Sequence, residues 1–133
     1  MRNNSLEAFE SSLAKVLAEV DNVLEIEYGR MLPRHPQRPA MGKTANPQYD
    51  GLFSVAAKFS AGIGSFYGPG YTLELRASTL LPVSQELQKK WEQVMVEILR
   101  KRLPQVFPGR HLLVDLDRYG WKIHGDLSLG QNG

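Results

Sequence analysis

Between positions 53 and 77 apolar and polar residues alternate with the two-residue period of β-strands. Phe53, Val55, Ala57 and Phe59 share one face against Ser54, Ala56, Lys58 and Ser60; Tyr71, Leu73, Leu75 and Ala77 share one face against Thr72, Glu74, Arg76 and Ser78. The intervening loop carries Gly62, Gly64, Gly68 and Gly70 and is long enough to close a hairpin without a two-residue turn. This pattern predicts an antiparallel pair with one face buried and the other in water. A second pair follows at 111–117 and 121–129, where Leu112, Val114 and Leu116 and then Trp121, Ile123, Leu127 and Leu129 form the apolar face. A turn at Tyr119-Gly120 would set Leu116 opposite Ile123 and, on the polar face, Asp117 opposite Lys122 and Asp115 opposite His124.

Two other stretches repeat in steps of three and four. Leu6, Phe9, Leu13, Val16, Val20 and Val23 predict a helix over about 4–24, with Asn4 and Glu7 as a variant capping box. The same spacing suits a coiled-coil seam, but Leu17 and Leu24 widen the stripe towards a helix packed on a sheet. Leu87, Trp91, Val94 and Ile98 predict a second helix over about 84–103, capped by Ser84, complemented by Arg100, Lys101 and Arg102 at its negative end and stopped by Pro104. The order is therefore helix, hairpin, helix, hairpin. The simplest architecture is one α+β domain over 1–133: a two-layer sandwich (αββαββ) of a four-stranded antiparallel sheet with both helices on one face. A likeness between KVLAEV and QVMVEI in the two helices hints at duplication, although amphipathic helices resemble one another in any case. The last residues, 130–133, should be frayed.

Composition narrows the chemistry. The 133 residues include no cysteine, which excludes disulfides, thiolate metal sites and cysteine nucleophiles and fits a cytoplasmic protein. No apolar run approaches the roughly 20 residues that span a bilayer, so no membrane partner is expected. The net charge of +2 does not by itself call for a polyanion. It is unevenly spread, however. The proline-rich segment at about 28–48, expected to be irregular, gathers Arg30, Arg34, His35, Arg38 and Lys43 with no acid before Asp50.

That segment is the candidate ligand site, since stiffened arginines present forked donors to phosphate or carboxylate, and Tyr28 and His35 offer stacking to single-stranded nucleic acid. Gly42-Lys43-Thr44 ends like a phosphate loop but lacks the leading glycine, the strand before and the helix after. Gly62, Gly64 and Gly68 miss the dinucleotide spacing by one residue and precede a strand instead of a helix. His124 with Asp115, Asp117, Asp126 and His111 lies on one sheet face, where charge pairs are ordinary and water is not excluded. No cofactor or metal is implied. The first functional reading is a non-catalytic protein-interaction or assembly module that associates with itself as a homodimer, helped by exposed aromatics at Phe66, Tyr67 and Trp121. The alternative is an anion or nucleic-acid binder using the basic segment; an enzyme of unknown class is the third.

Overall fold

The computed structural model describes residues 4–127. It contains α1 (Asn4–Tyr28), a short 3-10 turn (Pro47–Tyr49), β1 (Phe53–Ser60), β2 (Gly70–Ala77), α2 (Gln85–Val106), β3 (Leu112–Asp117) and β4 (Gly120–Gly125). The fold is α+β, and the four strands form an antiparallel sheet in the order β1-β2-β4-β3. The first hairpin thus supplies one outer strand, β1, and the second supplies the other, β3.

Alternation builds the core. Phe53, Val55, Leu73, Leu75, Val114 and Ile123 are buried with Phe9, Leu13, Val16, Val20 and Leu24 of α1 and Trp91, Met95, Leu99 and Leu103 of α2. Trp91, fully buried, stands edge-on to Phe53 with ring centroids 4.9 Å apart. A one-residue slip of β2 would turn Tyr71, Leu73 and Leu75 outward. At about 1.5–3 kcal/mol per buried side chain, that cost pins the register.

Several expectations are corrected. Helix α1 continues past 24 to Tyr28 and ends at Gly29, whose amide donates to the Glu25 carbonyl at 2.9 Å; the expected cap at Asn4 lies outside the described side chains. Pro104 does not stop α2, which runs to Val106. A proline removes one backbone bond in the last turn, and the Phe107 amide still closes on the Leu103 carbonyl at 2.8 Å, with both side chains buried. Arg100, Lys101 and Arg102 therefore do not flank the helix end. Arg100 reaches across to β3, and Arg102 pairs with Glu19 of α1 at 2.8 Å.

The second hairpin turns at Arg118-Tyr119, not Tyr119-Gly120. Gly120 takes φ +112° as the first residue of β4, and Val114, not Leu116, faces Ile123. The shift is two residues, so both faces keep their composition, and the two expected charge pairs form diagonally: His124 Nε2 lies 2.8 Å from Asp115 Oδ2 and Lys122 Nζ 3.1 Å from Asp117 Oδ2. Leu116, expected inside, is 58% exposed, and Trp121, expected as an exposed aromatic, is half-buried with Arg100 over its ring. Strand β4 ends at Gly125; the expected continuation through Ser128 and Leu129, and the frayed 130–133, lie outside the described residues.

The expectation of a wholly wet second face also fails. Asp117, Lys122 and His124 are buried there, because the 61–69 loop folds back across the β4 and β3 half of the sheet.

Candidate functional site

The basic segment is held as a scaffold. Arg38 directs Nε to the Gly51 carbonyl at 3.0 Å and Nη2 to those of Gln48, Phe53 and Asp50 at 2.8, 3.0 and 3.1 Å. Its forked donors serve backbone that would otherwise lack partners. Arg34 Nε donates to the Arg38 carbonyl, the His35 amide donates to the Ser78 carbonyl at 2.7 Å, and His35 Nδ1 accepts from the Gln37 amide. The five candidate ligand residues do not converge. His35 and Arg38 line one cleft with Arg76, Arg30 and Arg34 line another with Ile26 and Met41, and Lys43 lines neither. The Gly42-Lys43-Thr44 amides are already occupied: Gly42 N, Thr44 N and Thr44 Oγ1 all donate to Asp50 Oδ2 at 3.0–3.1 Å, so a carboxylate of the chain sits where a phosphate would have to bind.

The glycine-rich loop is locked from beneath. Asp117 accepts from the Phe66 amide at 2.8 Å, the Arg118 amide at 2.7 Å and Ser65 Oγ, while Lys122 Nζ donates to Ser65 Oγ at 2.8 Å and to the Gly68 carbonyl. Burial opposes ionisation of Asp117, yet the hydrogen bonds from Ser65, Phe66, Arg118 and Lys122 together hold its carboxyl well below the usual carboxylate range. Tyr67 stacks on the His124 ring at 4.3 Å and Arg118 lies 4.9 Å over Phe66. Phe66 and Tyr67 are exposed, as expected of the loop, but both rings also hold it down. His124 is covered by Tyr67 and paired with Asp115, which leaves it no face for a substrate. Ser65 and Lys122 resemble a nucleophile and base, but both are spent on holding the loop: Ser65 Oγ donates to Asp117, and Lys122 Nζ donates to Ser65 Oγ and the Gly68 carbonyl. Among the described residues no group of three or more His, Asp or Glu is placed to hold a metal ion.

A concavity larger than either cleft of the basic segment lies along β1. A cleft of about 580 Å³ runs between α1 and this outer strand, walled by Leu13, Ala14, Leu17 and Ala18 on one side and Val55, Ala57 and Phe59 on the other. Residues 45–48 close one end; Tyr71, whose hydroxyl donates to Glu10 Oε2 at 3.0 Å, closes the other. Burial, then the Glu10 bond and charge, push the Tyr71 hydroxyl up to about 12. Asp21 also lines the cleft, 3% exposed, with Oδ2 buried and unpartnered. Burial first, then the negative charges of Glu25 and Asp50, push its carboxyl up to about 8 against the pull of Arg38.

The backbone of β1 makes this cleft an open strand edge. The Leu52 carbonyl accepts from the Ser78 amide at 2.6 Å, towards β2, whereas the Phe53 amide and carbonyl are taken from the opposite side by Glu25 Oε2 at 2.8 Å and Arg38 Nη2 at 3.0 Å. Strand geometry alternates, so Val55, Ala57 and Phe59 direct their N–H and C=O groups away from β2. No hydrogen bond from the described residues meets these groups. Phe59 is 61% exposed, with Tyr71 edge-on at 5.7 Å. Sequence reading placed none of Asp21, Glu25 or this edge in a site, because which strand lies outermost depends on sheet order.

Among the described residues no helix is long and apolar enough to cross a membrane. No solved structure matches significantly. The chain is 39% identical over 125 residues to a protein of Borreliella burgdorferi described as an uncharacterized protein, covering 94% of this chain and 98% of that one. Residues 4–125 match the model of a family described as "Uncharacterised protein", and the chain belongs to that family.

Proposed function

We propose that this protein is a non-catalytic protein-interaction module that takes up an extended polypeptide strand along β1. One observation carries the reading: an outer strand turns the backbone donors and acceptors of Ala57 and Phe59 outward beside a cleft walled by its own helix. Strand addition satisfies such groups with main-chain bonds, and every second side chain of the guest enters the cleft. The walls favour apolar side chains there, since Leu13, Leu17, Phe59 and Tyr71 dominate them.

The test is a fluorescein-labelled peptide copying the eight residues of β1, titrated by anisotropy. Binding is expected, and Ala57→Pro should weaken it at least about tenfold, because proline deletes an outward N–H while leaving the bonds to β2 intact. Equal binding by this variant rejects strand addition.

A second reading, anion or nucleic-acid binding by the basic segment, is supported by Arg30 and Arg34 sharing one cleft of about 470 Å³. It requires salt-sensitive oligonucleotide binding that disappears when both become alanine.

A further inference from the structure

We infer that the strand received by β1 is β1 of a second copy of this chain, the two running antiparallel about a two-fold axis at Phe59 and joining two sheets into one. This rests on the strand-addition reading above. The outward groups allow the axis to fall at Ala57, Lys58 or Phe59, and physical chemistry separates the three. An axis at Ala57 sets Val55 opposite Phe59 and so drives the guest strand towards the 45–48 turn that closes the cleft. An axis at Lys58 sets two ammonium groups directly opposite in a non-hydrogen-bonded pair about 4.5 Å apart at Cα, which repels.

An axis at Phe59 has neither defect. Phe59 faces itself, Ala57 faces Ala61 and Lys58 faces Ser60, so no like charges meet. The exposed Phe59 ring, already edge-on to Tyr71, gains a second aromatic partner. The neighbouring helix suits the same symmetry. The bond from Tyr71 to Glu10 places the N-terminal half of α1 beside this end of β1, and Glu10 and Lys15 both line the cleft. Antiparallel copies bring Glu10 of each towards Lys15 of the other, and the intervening Ser11 and Ala14 are small enough to let the helices approach. This self-complementary charge arrangement is what selects a second copy over an unrelated strand.

The chain contains no cysteine, so single thiols report the register cleanly. In the proposed dimer the Phe59 positions form a hydrogen-bonded pair about 5.5 Å apart at Cα, within disulfide reach, while the Ala57 positions are separated by about 14 Å. Phe59→Cys should therefore give a covalent dimer on mild oxidation and Ala57→Cys should not. Light scattering of the unmodified chain at micromolar concentration should return twice the chain mass. Phe59→Lys should return the single-chain mass with an unchanged circular dichroism spectrum. A single-chain mass for the unmodified protein, or cross-linking through Ala57→Cys as fast as through Phe59→Cys, overturns the inference. If the β1 peptide still binds a chain that stays monomeric, strand addition survives and the second copy as guest does not; if the peptide fails too, both fall.

Discussion

The two outer strands of this sheet are treated differently by the rest of the chain. At β3, Arg100 of α2 lays its guanidinium on the Val114 carbonyl, with Nη2 at 2.6 Å, and sits 3.6 Å from the Asp115 carboxylate. The 61–69 loop seals the sheet face behind. At β1, among the described residues, Glu25 and Arg38 cover the first residue and the 45–48 turn lies beside Val55, while Ala57 and Phe59 border a cleft. Exposed edges invite pairing, and charged side chains are the usual way to blunt them. This chain has the means and applies them to one edge, so the openness of the other is selective.

The guarded side is the easier to break. Asp117→Ala strands the ammonium of Lys122, whose side chain is 3% exposed, and frees the loop that covers β4. The melting temperature should fall on the order of 15 °C, the largest effect expected here. Glu74→Ala, on the uncovered part of the same face, should barely move it.

On the β1 side the cap is built from charges with too few partners. Asp21 faces Glu25 on its own helix, Asp50 after the 3-10 turn and Arg38 from the basic segment, and its carboxyl is raised to about 8. With a folded value above the unfolded one, its contribution is complete below about pH 4 and is lost as pH rises through 8. Between those limits the unfolded chain releases a proton that the folded chain keeps. Urea unfolding from pH 5 to 8 should show a loss on the order of 3 kcal/mol that Asp21→Asn removes. A slope shared by both proteins rejects the neutral carboxyl. Arg38→Ala should cost about 2–3 kcal/mol at pH 5, where the Asp21 carboxyl is neutral in the folded chain, since it orphans the part-buried carbonyls of Gly51 and Phe53; lysine at this position should not rescue, lacking the fork.

Much of the architecture was legible because strand and helix periods are local. Both hairpins, both helices and the faces of every strand follow from residues two, three or four apart. The turn between β3 and β4 was not, for a definite reason: sliding a strand by two residues preserves its faces, so the apolar pattern that excludes a slip of one is silent on a slip of two. The covered second face was equally hidden. Ser65 meets Asp117 and Lys122 across more than 50 positions, and nothing near either end announces the contact. Arg38 shows the converse error. Four cations in a proline-rich segment suggest a ligand, but one guanidinium can satisfy several carbonyls of an irregular backbone at once, and composition does not distinguish the two uses.

The smallest effect expected concerns Arg100, and it bears on the edge comparison most directly. The side chain is about half exposed, so removing it should cost only about 1 kcal/mol in unfolding experiments. Its influence should appear instead in association. Arg100→Ala uncovers the Val114 carbonyl on an outer strand whose neighbouring Leu116 side chain is already exposed, which recreates at β3 the condition present at β1. If guarding is what separates the edges, this variant grows beyond the mass of the parent as concentration rises, because each copy then has two receptive strands and nothing closes the chain of contacts. Light scattering should show that growth, and adding Phe59→Lys should reduce it to pairs formed through β3 alone. An Arg100→Ala protein that keeps the parent's mass at every concentration would mean that β3 is protected by its short length and by the packing of α2, and that the guanidinium is incidental.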